Sequence, residues 1–155
     1  MQRKRNKGFT LIEILIVVAI IAILASAVVI GLGPAQQSGR DARRLSDLRE
    51  AQNALELYYN AKGQYPSETT WDAMSADIVA ANVGITSPLP DDPTNNKTYS
   101  YQYGASTDLS SYVIGATLEN KNNAVFKGYN PPTALPDGFP LTCKGSSDGT
   151  YCLTL

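Results

Sequence analysis

Glu13 is the residue whose placement most constrains this chain. Met1 to Gly8 carries four cations, Arg3, Lys4, Arg5 and Lys7, and no acid. From Ile14 to Gly39 no residue is charged. The single acid therefore stands near the start of a run long enough to lie in lipid, for which about 20 apolar residues suffice. A carboxylate near mid-bilayer costs at least ~2.5–3.5 kcal/mol on insertion scales, and less near the interface. A residue placed at that cost is expected to have a partner.

The other residues with chemical potential are few. There is no histidine, so triads and most general acid–base schemes lack their usual member. No glycine-rich phosphate loop appears, because Gly31 and Gly33 lie inside or beside the apolar run. No catalytic residue is assigned, and the chain is expected not to be an enzyme. The two cysteines, Cys143 and Cys152, flank an Asp148-Gly149 turn. That spacing suits a hairpin with bridged ends, and closing so short a loop contributes roughly 2–3 kcal/mol. Zinc is the rival reading of the pair, and two cysteines without histidine argue against it. Ser146, Asp148 and Thr150 offer oxygens at alternating positions, but one carboxylate is thin for a calcium cage. Asn96-Lys97-Thr98 matches a glycosylation acceptor triplet.

Three readings compete for the N-terminus. A secretory signal would use Ala25-Ser26-Ala27 for cleavage, but the apolar run continues through Val28, Val29 and Ile30. A plain signal anchor has the length and leaves Glu13 unexplained. The third reading explains it: Gly8-Phe9-Thr10-Leu11-Ile12-Glu13, with its short basic leader, resembles the prepilin signature of type IV pilins and type II secretion pseudopilins. The resemblance implies cleavage between Gly8 and Phe9 by a membrane-embedded prepilin peptidase, which then methylates the new amine of Phe9. It also makes Glu13 the acid at the family's fifth mature position. On a helix Phe9 and Glu13 are i, i+4 neighbours, so that carboxylate can meet its own amine or that of an adjacent subunit. Removing one partner of a buried pair costs roughly 3–5 kcal/mol.

The elements that must position these residues follow from periodicity. The apolar stretch reads as a helix, weakened or kinked near Gly31, Gly33 and Pro34. An amphipathic rhythm resumes, with Leu45, Leu48, Ala51, Leu55, Tyr58 and Tyr59 on one broad face and Arg44, Asp47 and Glu50 on others. Gly63 and Pro66 end the helix. Thr70 caps a short helix with Trp71, Met74 and Ile78 on one side, Trp71 being read as a core anchor. Ser87 to Pro93 is a rigid loop. Tyr99, Tyr101 and Tyr103 alternate along a strand, as do Tyr112, Ile114, Ala116 and Leu118; a third strand is expected over 124–129.

The expected fold is α+β: a long N-terminal helix packed on a small antiparallel β-sheet head, as in pilins. Its parts are a removed leader (1–8), a transmembrane and filament-core helix (9–32), an amphipathic continuation (33–62) and an extracytoplasmic head (63–155). The full chain has 13 cations against 14 acids; loss of the four leader cations leaves a net charge of −5. No basic patch for nucleic acid results, and the cationic leader puts the C-terminus outside the cytoplasm. The resemblance implies a subunit of a type IV pilus-like filament serving adhesion, motility or DNA uptake. The alternatives are a major-type pseudopilin of type II secretion and, from another class, a monomeric anchored binding module. Implied partners are prepilin peptidase, further copies of the chain, minor pilins, an inner-membrane assembly platform and lipid before assembly, with the final place a surface pilus or periplasmic pseudopilus. No metal is assigned, but major pseudopilins carry calcium in their C-terminal loops, which makes Asp148 a calcium candidate. Asp91, Asp92, Asp108 and Asp137 would help only if the fold gathers them.

Overall fold

The computed structural model describes residues 8–155, with the side chains of residues 27–31 left outside the description. Of the expected leader, therefore, only Gly8 falls within it. Helix α1 (Leu11–Lys62) runs through Pro34, and the chain forms two compact units that divide between Gln36 and Gln37. The helix stops where the sequence supplies a left-handed residue: Gly63 has φ 73°, and its N–H reaches Tyr59 O at 2.7 Å. A glycine after the last helical residue is the commonest helix stop.

In the second unit, the inner face of α1 buries Leu48, Ala51, Ala54, Leu55 and Tyr58. The short helix α2 (Trp71–Ala80) begins at Thr70, whose side chain accepts from Ala73 N as expected. Trp71 is a core residue, as expected, only 6% exposed, and its indole N–H donates to Pro90 O at 3.2 Å. Strands β1 (Gln102–Ala105), β2 (Tyr112–Thr117) and β3 (Thr150–Thr154) form one antiparallel sheet in the order β1-β2-β3. Tyr101, Tyr103, Tyr112, Ile114 and Ala116 join the helical residues in the main core. Each buried phenol that would otherwise cost free energy finds a partner: Tyr101 donates to Asp47 at 2.7 Å, Tyr103 to Pro66 O at 2.7 Å and Tyr58 to Asp77 at 2.8 Å. The α+β architecture agrees with expectation.

Three details differ from it. The third strand is β3, not 124–129. Asn123 instead caps a single 3-10 turn at Ala124–Phe126 by accepting from Val125 N, because asparagines favour such local bonds over a ladder. The tyrosine strand is shorter than expected: Tyr99 and Tyr101 both precede β1, and a turn returns Asn96 N to Tyr99 O. Most consequentially, Arg44 and Asp47, expected away from the apolar face of α1, are buried.

Arg44 is fully enclosed and meets three carboxylates. It donates through Nε and Nη2 to Asp92 at 2.6 and 3.0 Å, and through Nη1 to Asp41 and Glu119, both at 2.9 Å. Its Nη2 also reaches Thr94 Oγ1 at 2.9 Å, and its guanidinium carbon lies 4.8 Å from the Tyr99 ring centre. Asp41 accepts in turn from the backbone N–H groups of Glu119 and Asn120, while Arg40 pairs with Glu119 at 2.6 Å. One cation thus ties α1 to the loop before β1 and the loop after β2. Burial disfavours the Arg44 charge, yet its bonds to Asp92 and Glu119 outweigh that and raise its pKa. The hydrogen bond from Arg40, reinforced by Arg44 against a smaller opposing burial cost, lowers Glu119 from 4.5 to about 2.

Replacing this cation strands buried acids. Arg44→Leu is expected to lower head stability by about 3–5 kcal/mol, read as a fall in urea midpoint. Because folding depresses the Glu119 pKa, its stabilisation is complete above the unfolded value and is lost as pH falls from about 4.5 to about 2. Urea melts across that window are expected to show a stability loss in the parent chain and a shallower one in Arg44→Leu. Equal slopes would remove the cluster from this role.

Candidate functional site

The N-terminal unit places Gly8, Phe9, Thr10 and Glu13 at the start of α1, all exposed. Thr10 precedes the first helical residue, and Glu13 follows three positions later, the spacing of a capping box. Both halves of the box are present. Glu13 N donates to Thr10 Oγ1 at 3.3 Å, and Glu13 Oε2 accepts from Thr10 N at 2.8 Å and Thr10 Oγ1 at 2.6 Å. Glu13 thus spends one oxygen on its own helix end, where a negative charge also suits the helix dipole. Thr10 is the residue that the cost of Glu13 alone did not reveal, although Thr-x-x-Glu ahead of an apolar run was there to be read.

From Ile14 to Ala25 the side chains of this unit are apolar and exposed on every side of the helix. Twelve large hydrophobic residues from Phe9 to Leu24 have more than half of their surface free, Phe9 reaching 85% and Leu11 82%. A monomeric soluble surface seldom carries a contiguous apolar area of this kind. Among the described residues no helix is long and apolar enough to cross a membrane. The side chains described in this part of α1 stop at Ser26, short of residues 27–31, over which the expected span continues.

The second expected feature, at the C-terminus, is a disulfide between Cys143 and Cys152. Both sulfurs are buried on the sheet face opposite α1, in a small second core with Val113, Leu135, Phe139 and Leu141. Gly115 makes the approach possible, since a Cβ there would stand 2.8 Å from Cys152 Sγ and 2.8 Å from Leu141. Tyr129, expected at the end of a strand, instead clamps the bridge: its hydroxyl donates to Cys143 O and accepts from Cys152 N.

Inside the bridged loop, Asp148 is occupied by the protein. It accepts from Thr142 Oγ1, from Lys144 N at 3.3 Å, and from Thr150 N and Oγ1 at 2.8 and 2.6 Å. These bonds outweigh a contrary burial effect and hold its pKa below the usual carboxylate range. The other acids named as calcium ligands are not gathered around it: Asp92 binds Arg44, and Asp108 binds Ser106 and Ser110. Among the described residues no group of three or more His, Cys, Asp or Glu is placed to hold a metal ion.

Comparison with known proteins meets this geometry at the N-terminal end. Residues 3–29 match a family model described as a prokaryotic N-terminal methylation motif. The type II secretion system core protein G of Aeromonas hydrophila is 35% identical over 62% of this chain and 73% of its own length. Its counterpart in Pseudomonas aeruginosa is 34% identical over 75% of this chain and 87% of that protein. Fimbrial protein EcpC of Eikenella corrodens is 32% identical over 97% of this chain and 90% of its own. No solved structure matches.

The bridge serves the second core more than the first. Reducing it is expected to cost the head roughly 2–3 kcal/mol. Hydrogen exchange should then rise in β3 and residues 141–149 well before it rises in β1 and the buried turns of α1. Simultaneous loss of protection throughout would show that the two cores are one cooperative unit.

Proposed function

The chain belongs to the family of type IV pilins and type II secretion pseudopilins, filament subunits in both branches, and from that premise we propose how it is processed and what it builds. Cleavage falls between Gly8 and Phe9, and Phe9 becomes an N-methylated first residue. The observation that supports this is the pairing of the methylation-motif match at residues 3–29 with an apolar surface that the unit cannot cover by itself. Before assembly the segment lies in the membrane, with the leader in the cytoplasm and the head outside. In the filament it packs against the same segment of other copies.

Charge bookkeeping then gives Glu13 its role. Processing creates a cation at Phe9, one helical turn from the carboxylate. Only Oε2 of Glu13 is used by the capping box, so Oε1 remains to accept from that amine or from one on a neighbouring subunit. The pair sets the axial register of a subunit as it enters the filament. Prepilin peptidase, further copies of the chain, minor pilins and an inner-membrane assembly platform are the partners this scheme needs.

Of the two branches we favour the pilus. The fimbrial relative aligns over 97% of this chain, whereas the core protein G of Aeromonas hydrophila aligns over 62%. The C-terminal loop is closed by a disulfide and by hydrogen bonds from Thr142, Lys144 and Thr150 to Asp148. The pseudopilin reading is favoured by recurrence of core protein G among the relatives, including that of Escherichia coli at 34% identity over 59% of this chain.

Mass spectrometry of filaments sheared from the producing cells tests the scheme. The expected N-terminal peptide begins at methylated Phe9 in abundant fibres; a mature start at Val28 would overturn processing, and retention in the envelope with a secretion defect on deletion would favour the pseudopilus. Glu13→Ala is expected to be cleaved and methylated yet to lower filament yield more than about tenfold, a change that needs only ~1.4 kcal/mol per subunit. An undiminished yield of Glu13→Ala filaments would sink the register role.

A further inference from the structure

One motif is left without a role by the filament reading: Asn96-Lys97-Thr98, the only Asn-x-Ser/Thr triplet in the sequence. It occupies the tip of the connection from α2 to β1. The base of that connection is fixed from within, since Arg44 holds Asp92 and Thr94 by hydrogen bonds and lies against the ring of Tyr99. Between these anchors the chain leaves the core, and Asn95 to Thr98 are all exposed.

The tip has a defined shape. Asn95 adopts φ 39°, and Asn96 N donates to Tyr99 O at 2.9 Å. Asn96 Oδ1 accepts from Thr98 N and from Tyr99 N, each at 2.9 Å, an Asx turn of the kind asparagine favours. The carbonyl oxygen of the carboxamide is thus the engaged atom. Among the described residues, neither Asn96 Nδ2 nor Thr98 Oγ1 takes part in a hydrogen bond. These are the nitrogen that a glycan would occupy and the hydroxyl that defines the acceptor triplet.

We propose that Asn96 is an N-glycosylation site, its glycan delivered outside the cytoplasm by an oligosaccharyltransferase from a polyprenyl-diphosphate-linked oligosaccharide. In the transfer, Asn96 Nδ2 forms a bond to the anomeric carbon. The bond from that carbon to the diphosphate oxygen breaks, polyprenyl diphosphate leaves, and one amide proton passes to a base of the transferase. No oxidant or reductant is needed. The exposed position lets the glycan project into solvent without disturbing either core. Asn120 and Asn123 form the same local turn, accepting from Asn122 N and Val125 N. They lack a hydroxyl residue at the third position and remain unmodified.

The proposal rests on the reading that the head lies outside the cytoplasm. The test is therefore made on protein from the organism that produces it, with protease digestion of spheroplasts, which exposes everything beyond the inner membrane, alongside. Peptide mass spectrometry with electron-transfer fragmentation is expected to find sugar on Asn96 and none on Asn120 or Asn123. Thr98→Ala is expected to abolish the modification, Thr98→Ser to retain it, and Asn96→Gln to remove it. An unmodified Asn96 in a protease-accessible head overturns this proposal and leaves the filament reading standing. Sugar attached to Thr98 itself also overturns it. A head protected from protease in spheroplasts and cleaved only on lysis overturns the export reading and this inference together.

Discussion

The head depends on one buried guanidinium. Arg44 is charged, long and fully enclosed, and burying such a group is favourable only when its donors are satisfied and its charge is compensated. Asp41, Asp92 and Glu119 come from three separate parts of the chain, so the cation can be satisfied only when all three parts have docked. That requirement does what an apolar contact cannot. A hydrophobic face tolerates sliding by a fraction of a turn, whereas a planar fork with fixed hydrogen-bond directions does not. The two long loops at either end of the sheet thereby acquire one position against α1. With Asp47 held by Tyr101 and Asp77 by Tyr58, acids in the head repeatedly serve as fixed acceptors beneath the core. No buried side-chain polar atom among the described residues lacks a partner.

The N-terminal unit follows the opposite physical rule. From Ile14 to Ala25 its surface is apolar around the helix, and the one acid described in it is turned back onto Thr10 at the helix end. A box of this kind removes part of the cost of carrying a carboxylate beside lipid, because the charge is spread over two donors and placed at the positive end of the dipole. The same oxygen pattern leaves one side of the carboxylate available. A chain with these two units has no single solvent that suits both, and in the filament scheme proposed above lipid or copies of the helix supply the cover that the first unit lacks.

Legibility in the sequence tracked how local the determining interaction was. Gly8-Phe9-Thr10 to Glu13, the stop at Gly63, the cap at Thr70 and the alternation in Tyr112 to Ala116 are each decided within a few residues, and each could be read. The cysteines could be paired because only two exist. Arg44 could not be placed, because what buries it is the arrival of Asp92 and Glu119, 48 and 75 residues away. On its own stretch of helix it resembles any solvated arginine. The third strand failed for a related reason. Ala124 to Tyr129 has apolar residues, but Asn120 and Asn123 compete for the backbone with their own side chains. Thr150 to Thr154 is a strand because β2 offers it a partner with Ile114 opposite Leu153 and Gly115 opposite Cys152.

Gly115 explains why the terminal segment must return to this place at all. A three-stranded sheet of short strands has two faces, and α1 covers only one. Water on the other would leave Val113 and the flank of β2 exposed, a poor arrangement for so small a sheet. The segment from Leu135 to Cys143 supplies the missing layer, but it can lie close only where the central strand has no side chain. Glycine at that point weakens the strand when considered alone. Here it admits Cys152 Sγ and Leu141 within contact distance, so the local loss is offset by a second core and by the covalent bridge that closes it. The disulfide is therefore a consequence of the sheet's geometry as much as a constraint on the loop: the second layer has too few apolar residues to hold itself down, and a crosslink compensates for what its area cannot provide.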